Sequence, residues 1–257
     1  MHGMSDRDVK RKKKLKKKQA KLLRHQLNSR NPLKPRGENR VSDTIKLISY
    51  NITEEPLLPP TEQRITGLDQ ERYQKAFYYL QDKRAEEAIP IYEDLLARYP
   101  GAGRLYNNLA ECYFMVGEKN KAEELIKRNY VTNPKYLFGR IDYANYCMNH
   151  GKIEEVSIIF ENLFDLKLLY PERDTFHIME VKAFCSFMVK YFAQTKNIDT
   201  ALMFLQILDS IDPDGETSLD LLPLVFSNVL ENFKKTMALF PADPRKSRKE
   251  FPNPMEL

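Results

Sequence analysis

A chain of 257 residues with 42% apolar content can hold one or two domains around a sizeable core. It has no run of about 18 apolar residues, and its basic start is not followed by an apolar h-region, so neither a membrane-spanning helix nor export by a secretory leader is expected. The net charge of +5 hides a division: residues 1–40 carry 15 Lys+Arg against 3 Asp+Glu, whereas the remaining 217 carry 26 against 33. A basic tail is joined to a mildly acidic body, and an intracellular, cytoplasmic protein is expected, with the nucleus as the alternative if the source is eukaryotic.

Residues 1–40 read as a basic arm, disordered or partly helical. Lys10, Arg11, Lys12, Lys13, Lys14, Lys16, Lys17 and Lys18 place eight like charges in nine residues. Their mutual repulsion opposes the helix that lysine and leucine otherwise favour, and an anion would relieve it. Three readings stand: a solvated tail, phosphate contact with RNA or DNA, and an import signal or membrane-surface anchor. No aromatic residue interrupts the run, so stacking on single strands is not indicated, and nucleic-acid binding through it would be electrostatic and salt-sensitive.

Residues 41–68 form a linker rich in turn formers, including Pro56, Pro59 and Pro60. Within it residues 44–52 are apolar and partly alternating, an extended segment by pattern. A lone strand has no partner in a helical array. It is expected either to lie along the body as an intramolecular ligand, the preferred reading, or to pair with another chain.

From residue 69 to 136 two 34-residue blocks repeat. Ala76, Tyr79, Ala88, Tyr92 and Pro100 stand at offsets 8, 11, 20, 24 and 32, and Ala110, Tyr113, Ala122, Ile126 and Pro134 take the same places in the second block. This pattern resembles the tetratricopeptide repeat, a pair of antiparallel helices. The resemblance implies an all-α fold, a solenoid of about four helix pairs with a C-terminal capping helix, spanning residues 69–240. Small residues at offsets 8 and 20 mark where the helices pass closest, and proline stops the second helix for want of an amide. A third unit from 137 keeps Ala144, Gly151 and Phe160, but puts Cys147 at offset 11 and Val156 at 20. Its second helix is expected to run a turn longer. A fourth fits 182–215, after an insertion at 171–181 expected to lengthen its first helix in part. Leu221, Leu222, Val225, Val229, Phe233 and Met237 give residues 218–240 one apolar face suited to a cap. Residues 241–257, with four prolines, are expected to be a disordered tail.

No catalytic constellation is found: there is no GxxxxGK, GxGxxG or GxSxG run, and Cys147 with His150 forms half a zinc site at most. Cys112, Cys147 and Cys185 read as buried thiols, and the pair Glu111 and Asp142 as carboxylates facing one another across adjacent first helices. A non-enzymatic protein without cofactor or metal is expected. In the family resembled, first helices line a concave groove. The matching residues here include Tyr73, Phe77, Arg104, Asn107, Asn108, Glu111, Asn145 and Asn149, a lining suited to a protein or peptide segment. The competing reading makes Phe77, Leu80, Phe114 and Met148 inter-repeat core. Repeats that grip the C-terminal carboxylate of heat-shock chaperones use lysine, asparagine and arginine at places held here by Tyr73, Phe77, Asn108, Phe138 and Asp142. Only Asn108 agrees and Asp142 has the wrong sign, so that clamp is not expected. The resulting function is an adaptor holding a protein segment in its groove; the alternative is a nucleic-acid- or ribosome-associated protein anchored by the arm.

Overall fold

The computed structural model describes residues 48–57, 63–213 and 217–227. The basic arm, residues 44–47 of the extended segment, residues 228–240 of the expected cap and the tail at 241–257 lie outside these. The described chain is built from helix pairs: α1 (Leu68–Gln81) with α2 (Ala85–Arg98), α3 (Gly103–Met115) with α4 (Lys119–Thr132), and then α5 (Leu137–Asn149). After two short helices, α6 (Glu155–Ile159) and α7 (Leu166–Leu169), comes the last pair, α8 (Ile178–Gln194) and α9 (Ile198–Ile211). Residues 217–227 are helical and set Leu221 and Val225 into the core. The chain is an all-α solenoid of tetratricopeptide type.

The helix pairs close where the small residues are. Ala76, Ala88, Ala122, Ala144, Val156, Val189 and Ala201 have no exposed surface, and Ala110 almost none. Helices α2 and α4 end at Arg98 and Thr132, two residues before Pro100 and Pro134.

Every pair turns in the same way. Lys83, Gly117, Gly151 and Lys196 all occupy offset 15 and all have positive φ, at 61°, 82°, 73° and 65°. The following amide bonds back to the carbonyl five residues earlier: Arg84 to Tyr79, Glu118 to Tyr113, Lys152 to Cys147 and Asn197 to Phe192, each within 2.8–2.9 Å. This is the left-handed helix end that glycine accepts at little cost and a lysine does not.

The third repeat departs from expectation. Its second helix is not a turn longer; it is broken. Helix α6 spans five residues, and Glu161 and Asn162 then take left-handed conformations, with φ of 55° and 56°. Asp165 restarts the chain as α7, its side chain accepting from the amides of Lys167 and Leu168. The run from Ile153 to Ile159 is rich in β-branched residues, which give up side-chain freedom in a helix, and Asn is among the few residues at ease in a left-handed turn.

The lone strand also finds a partner. β1 (Asn51–Thr53) pairs in parallel with β2 (Thr175–His177), in the register Asn51 to Thr175, Ile52 to Phe176 and Thr53 to His177. The insertion therefore supplies a strand, and its last residues begin α8. Asp165 fixes the approach by accepting from the Ile48 amide at 3.2 Å, and Tyr50 meets Phe176 edge to face at 5.0 Å. His177 then caps α8 in a reciprocal pair with Glu180.

The core falls into two clusters, one from Ile65 to Ile126 and one from Leu137 to Val225, with Tyr143 and Tyr146 packed against both. The seam between them is partly polar: buried Asn129 donates to the Gly103 carbonyl at 3.1 Å and to the Asn107 side chain. Gly103 is needed there, because a Cβ would lie 2.5 Å from the ring of Tyr136.

Two lysines in positions made for glycine give a direct test of the turn. Lys83→Gly and Lys196→Gly are each expected to stabilise the protein by about 0.5–1 kcal/mol, while Gly117→Ala destabilises it by about 1 kcal/mol, since nothing lies within 4 Å of the added Cβ and only the backbone resists. Urea midpoints at unchanged slope check all three.

Candidate functional site

Helices α1, α3 and α5 stand side by side, and the same face of each opens on one cavity of about 740 Å³. Helix α1 contributes Tyr73, Phe77 and Gln81, one turn apart. Helix α3 contributes Arg104, Asn107, Asn108, Glu111 and Phe114, and α5 contributes Phe138, Asp142, Asn145, Tyr146 and Asn149. The spacing of three and four residues is what lays these side chains along one stripe of each helix. Lys119, Glu123 and Ile126 of α4, His150 at the end of α5 and Met179 of α8 close the rim.

All eight residues singled out from the repeat offsets line this cavity. The ambiguous apolar residues divide: Leu80 and Met148 are buried core, whereas Phe77 and Phe114 line the cavity and Phe114 is 47% exposed. Sequence reasoning misses Met179, which arrives from a helix whose register the insertion shifts, and leaves Asp142 out of the groove set, its sign being weighed there only against the chaperone clamp. Residues 48–57 line no part of the cavity, so the described part of the extended segment does not fill it.

Several polar side chains are already committed. The Asn108 amide donates to the hydroxyls of Tyr73 at 3.3 Å and Tyr92 at 3.1 Å, holding α1, α2 and α3 together. The Arg104 guanidinium lies 5.4 Å from the Tyr73 ring centre, and Tyr73 stacks on Phe77 at 6.4 Å. Glu123 stands 3.6 Å from both Lys119 and His150. By contrast, Glu111 and Asp142 have no hydrogen bond or ion pair among the described residues. Burial, and secondarily the charge of Glu111, push the Asp142 carboxyl up to about 7.

No group of three or more His, Cys, Asp or Glu is placed to hold a metal among the described residues. Cys112, Cys147 and Cys185 are buried and unpaired. His150 takes its place through Tyr146, its Nδ1 lying 2.8 Å from that residue's carbonyl oxygen. No described helix is long and apolar enough to cross a membrane.

The helix pairs, their common turn and the groove along the first helices define a helical-repeat protein. A model of the tetratricopeptide repeat family matches residues 79–128, so the chain carries tetratricopeptide repeats. Among solved structures it is similar to the TPR-like repeats of a protein described as a kinesin light chain from Podosopora anserina, at 15% identity and a TM-score of 0.45, covering 68% of this chain and 92% of that one. A single-substitution variant of the same repeats gives the same identity and coverage with a TM-score of 0.46. No curated protein matches the chain significantly.

The elevated carboxyl makes a pH prediction. Folding raises the affinity of Asp142 for its proton, so the folded state binds more protons than the unfolded chain between about pH 4 and 7, and its stability falls as pH rises through that window. Asp142→Asn is therefore expected to stabilise the protein at pH 8 by on the order of 2 kcal/mol and to change it little at pH 4. Urea titrations of both proteins at the two pH values check this.

Proposed function

We propose that this protein is a non-enzymatic adaptor that holds a segment of another protein in the groove of α1, α3 and α5. Tetratricopeptide repeats are in general protein–protein interaction modules. The observation that carries the reading to this surface is the lining itself: rings from Phe77 and Phe114 beside the amides of Asn145 and Asn149 and the carboxyls of Glu111 and Asp142, all on one open face. Rings supply apolar contact at small entropic cost, and side-chain amides pair with an extended backbone. Among the described residues, the three thiols are buried, His177 caps α8 and His150 lies against the Tyr146 carbonyl oxygen.

Capture from source-cell extract with the full chain tests this. A protein partner that survives nuclease treatment and is lost, by at least about tenfold in recovery, from the Phe77→Ala/Phe114→Ala variant is the expected result, each ring being worth about 1–2 kcal/mol of contact. Capture that is unchanged in the variant but abolished by nuclease would replace this reading with nucleic-acid binding through the basic arm.

A further inference from the structure

On the α5 wall of the groove, Asp142 is half-buried and makes no hydrogen bond or ion pair among the described residues. The side chains that could answer it are engaged elsewhere. Asn108, at the same offset of the preceding repeat, donates to the hydroxyls of Tyr73 and Tyr92. Lys119 stands 3.6 Å from Glu123, and the Arg104 guanidinium lies over the Tyr73 ring. Arg140, two positions earlier on α5 and so on its opposite side, donates to the carbonyls of Pro134 and Ile159 and to Glu161. A carboxylate withdrawn from water without a partner is costly, and burial already pushes this one toward its protonated form. A cationic group arriving with a ligand removes that cost, whereas a neutral group leaves it and an anionic one adds to it.

The surroundings of Asp142 suit a long cationic side chain. Phe77, Phe114 and Phe138 line the same cavity, and such rings accept the methylene stem of a lysine or the plane of an arginine. The open side of the groove carries further acid. Glu111 on α3 is exposed and has no ion pair among the described residues. Glu54 and Glu55, also exposed, follow β1, and the Glu54 carbonyl oxygen lies 3.1 Å from Nε2 of His177, two residues before Met179 of the rim. Surfaces that recognise one another carry complementary charge, so carboxylates beside rings select a basic segment over an acidic one.

We propose that the segment of another protein held in the groove is basic, crossing α3 and α5 with a lysine or arginine side chain set against the Asp142 carboxylate. This rests on the reading of the groove as a segment-binding site and adds the chemistry of its occupant. Asp142 is then the residue that chooses among segments, because the rings hold any apolar side chain while the carboxylate is satisfied only by a cation.

Synthetic peptide pools of about ten residues, long enough when extended to cross three helices, test this on the full chain. The central residue is fixed as Lys, Arg, Gln, Leu or Glu and the others are mixed. The Lys and Arg pools are expected to be retained at least about tenfold better than the Gln pool. That preference should vanish in Asp142→Asn, whose fold is checked by its helical circular dichroism, and persist in Glu86→Gln, a change of an exposed acid on α2. Equal retention of all pools, a preference for the Glu pool, or a cationic preference that Asp142→Asn leaves intact would overturn the proposal. In each of these cases retention that still falls in the Phe77→Ala/Phe114→Ala variant leaves the adaptor reading standing. Retention of no pool above the level of that variant would overturn both.

Discussion

The structure depends on how closely two antiparallel helices can approach within each repeat. Ala76 and Ala88 in the first repeat and Ala110 and Ala122 in the second are buried, and a larger side chain at these places would be overpacked at a cost of about 1–3 kcal/mol. The approach is held by a turn that must reverse the chain within three residues, which is why offset 15 is left-handed in all four repeats even where the residue is lysine. Once that hairpin is set, the second helix of one repeat packs on the first helix of the next, and the first helices are left in a row. The groove is a consequence of this row, since residues three and four apart on α1, α3 and α5 then share one open face.

The third repeat shows what happens when the constraint is relaxed. With α6 reduced to five residues, the following chain adds Leu166, Leu169, Tyr170 and Phe176 to the second core cluster. Phe176 is covered by Tyr50 and stands 4.3 Å from the guanidinium of Arg173, which pairs with buried Glu180. The insertion therefore does three things at once: it supplies β2, ties down the chain ahead of the repeats and, through the His177 cap, aims α8 so that Met179 reaches the groove rim. Asp165 links these events, because one buried carboxylate both starts α7 and receives the Ile48 amide.

Much of this is legible in the sequence. Alanine, tyrosine and proline at fixed offsets are local signals with a single steric meaning, and they place the first two repeats, their turns and the stripes of side chains that form the groove. What is not legible depends on contacts distant in sequence. Nothing near residue 51 announces that its partner lies at residue 175, and parallel pairing over three residues leaves too short a pattern to find. The break after Ile159 turns on Glu161 and Asn162 adopting conformations that neither residue type demands. Asp142 can be seen as an acid set against Glu111, but the burial that raises its carboxyl cannot, because burial depends on the folded chain around it.

The central claim is that the row of first helices, and no other face, receives the partner. A photoreactive phenylalanine analogue introduced at Phe114, in the groove, and separately at Tyr78, exposed on the face shared with Glu71, Lys75 and Arg84, tests this most directly. The account predicts that illumination in source-cell extract joins the captured partner to the protein through position 114 and not through position 78. Covalent capture through position 78 with none through 114 would contradict it and move the binding surface off the groove.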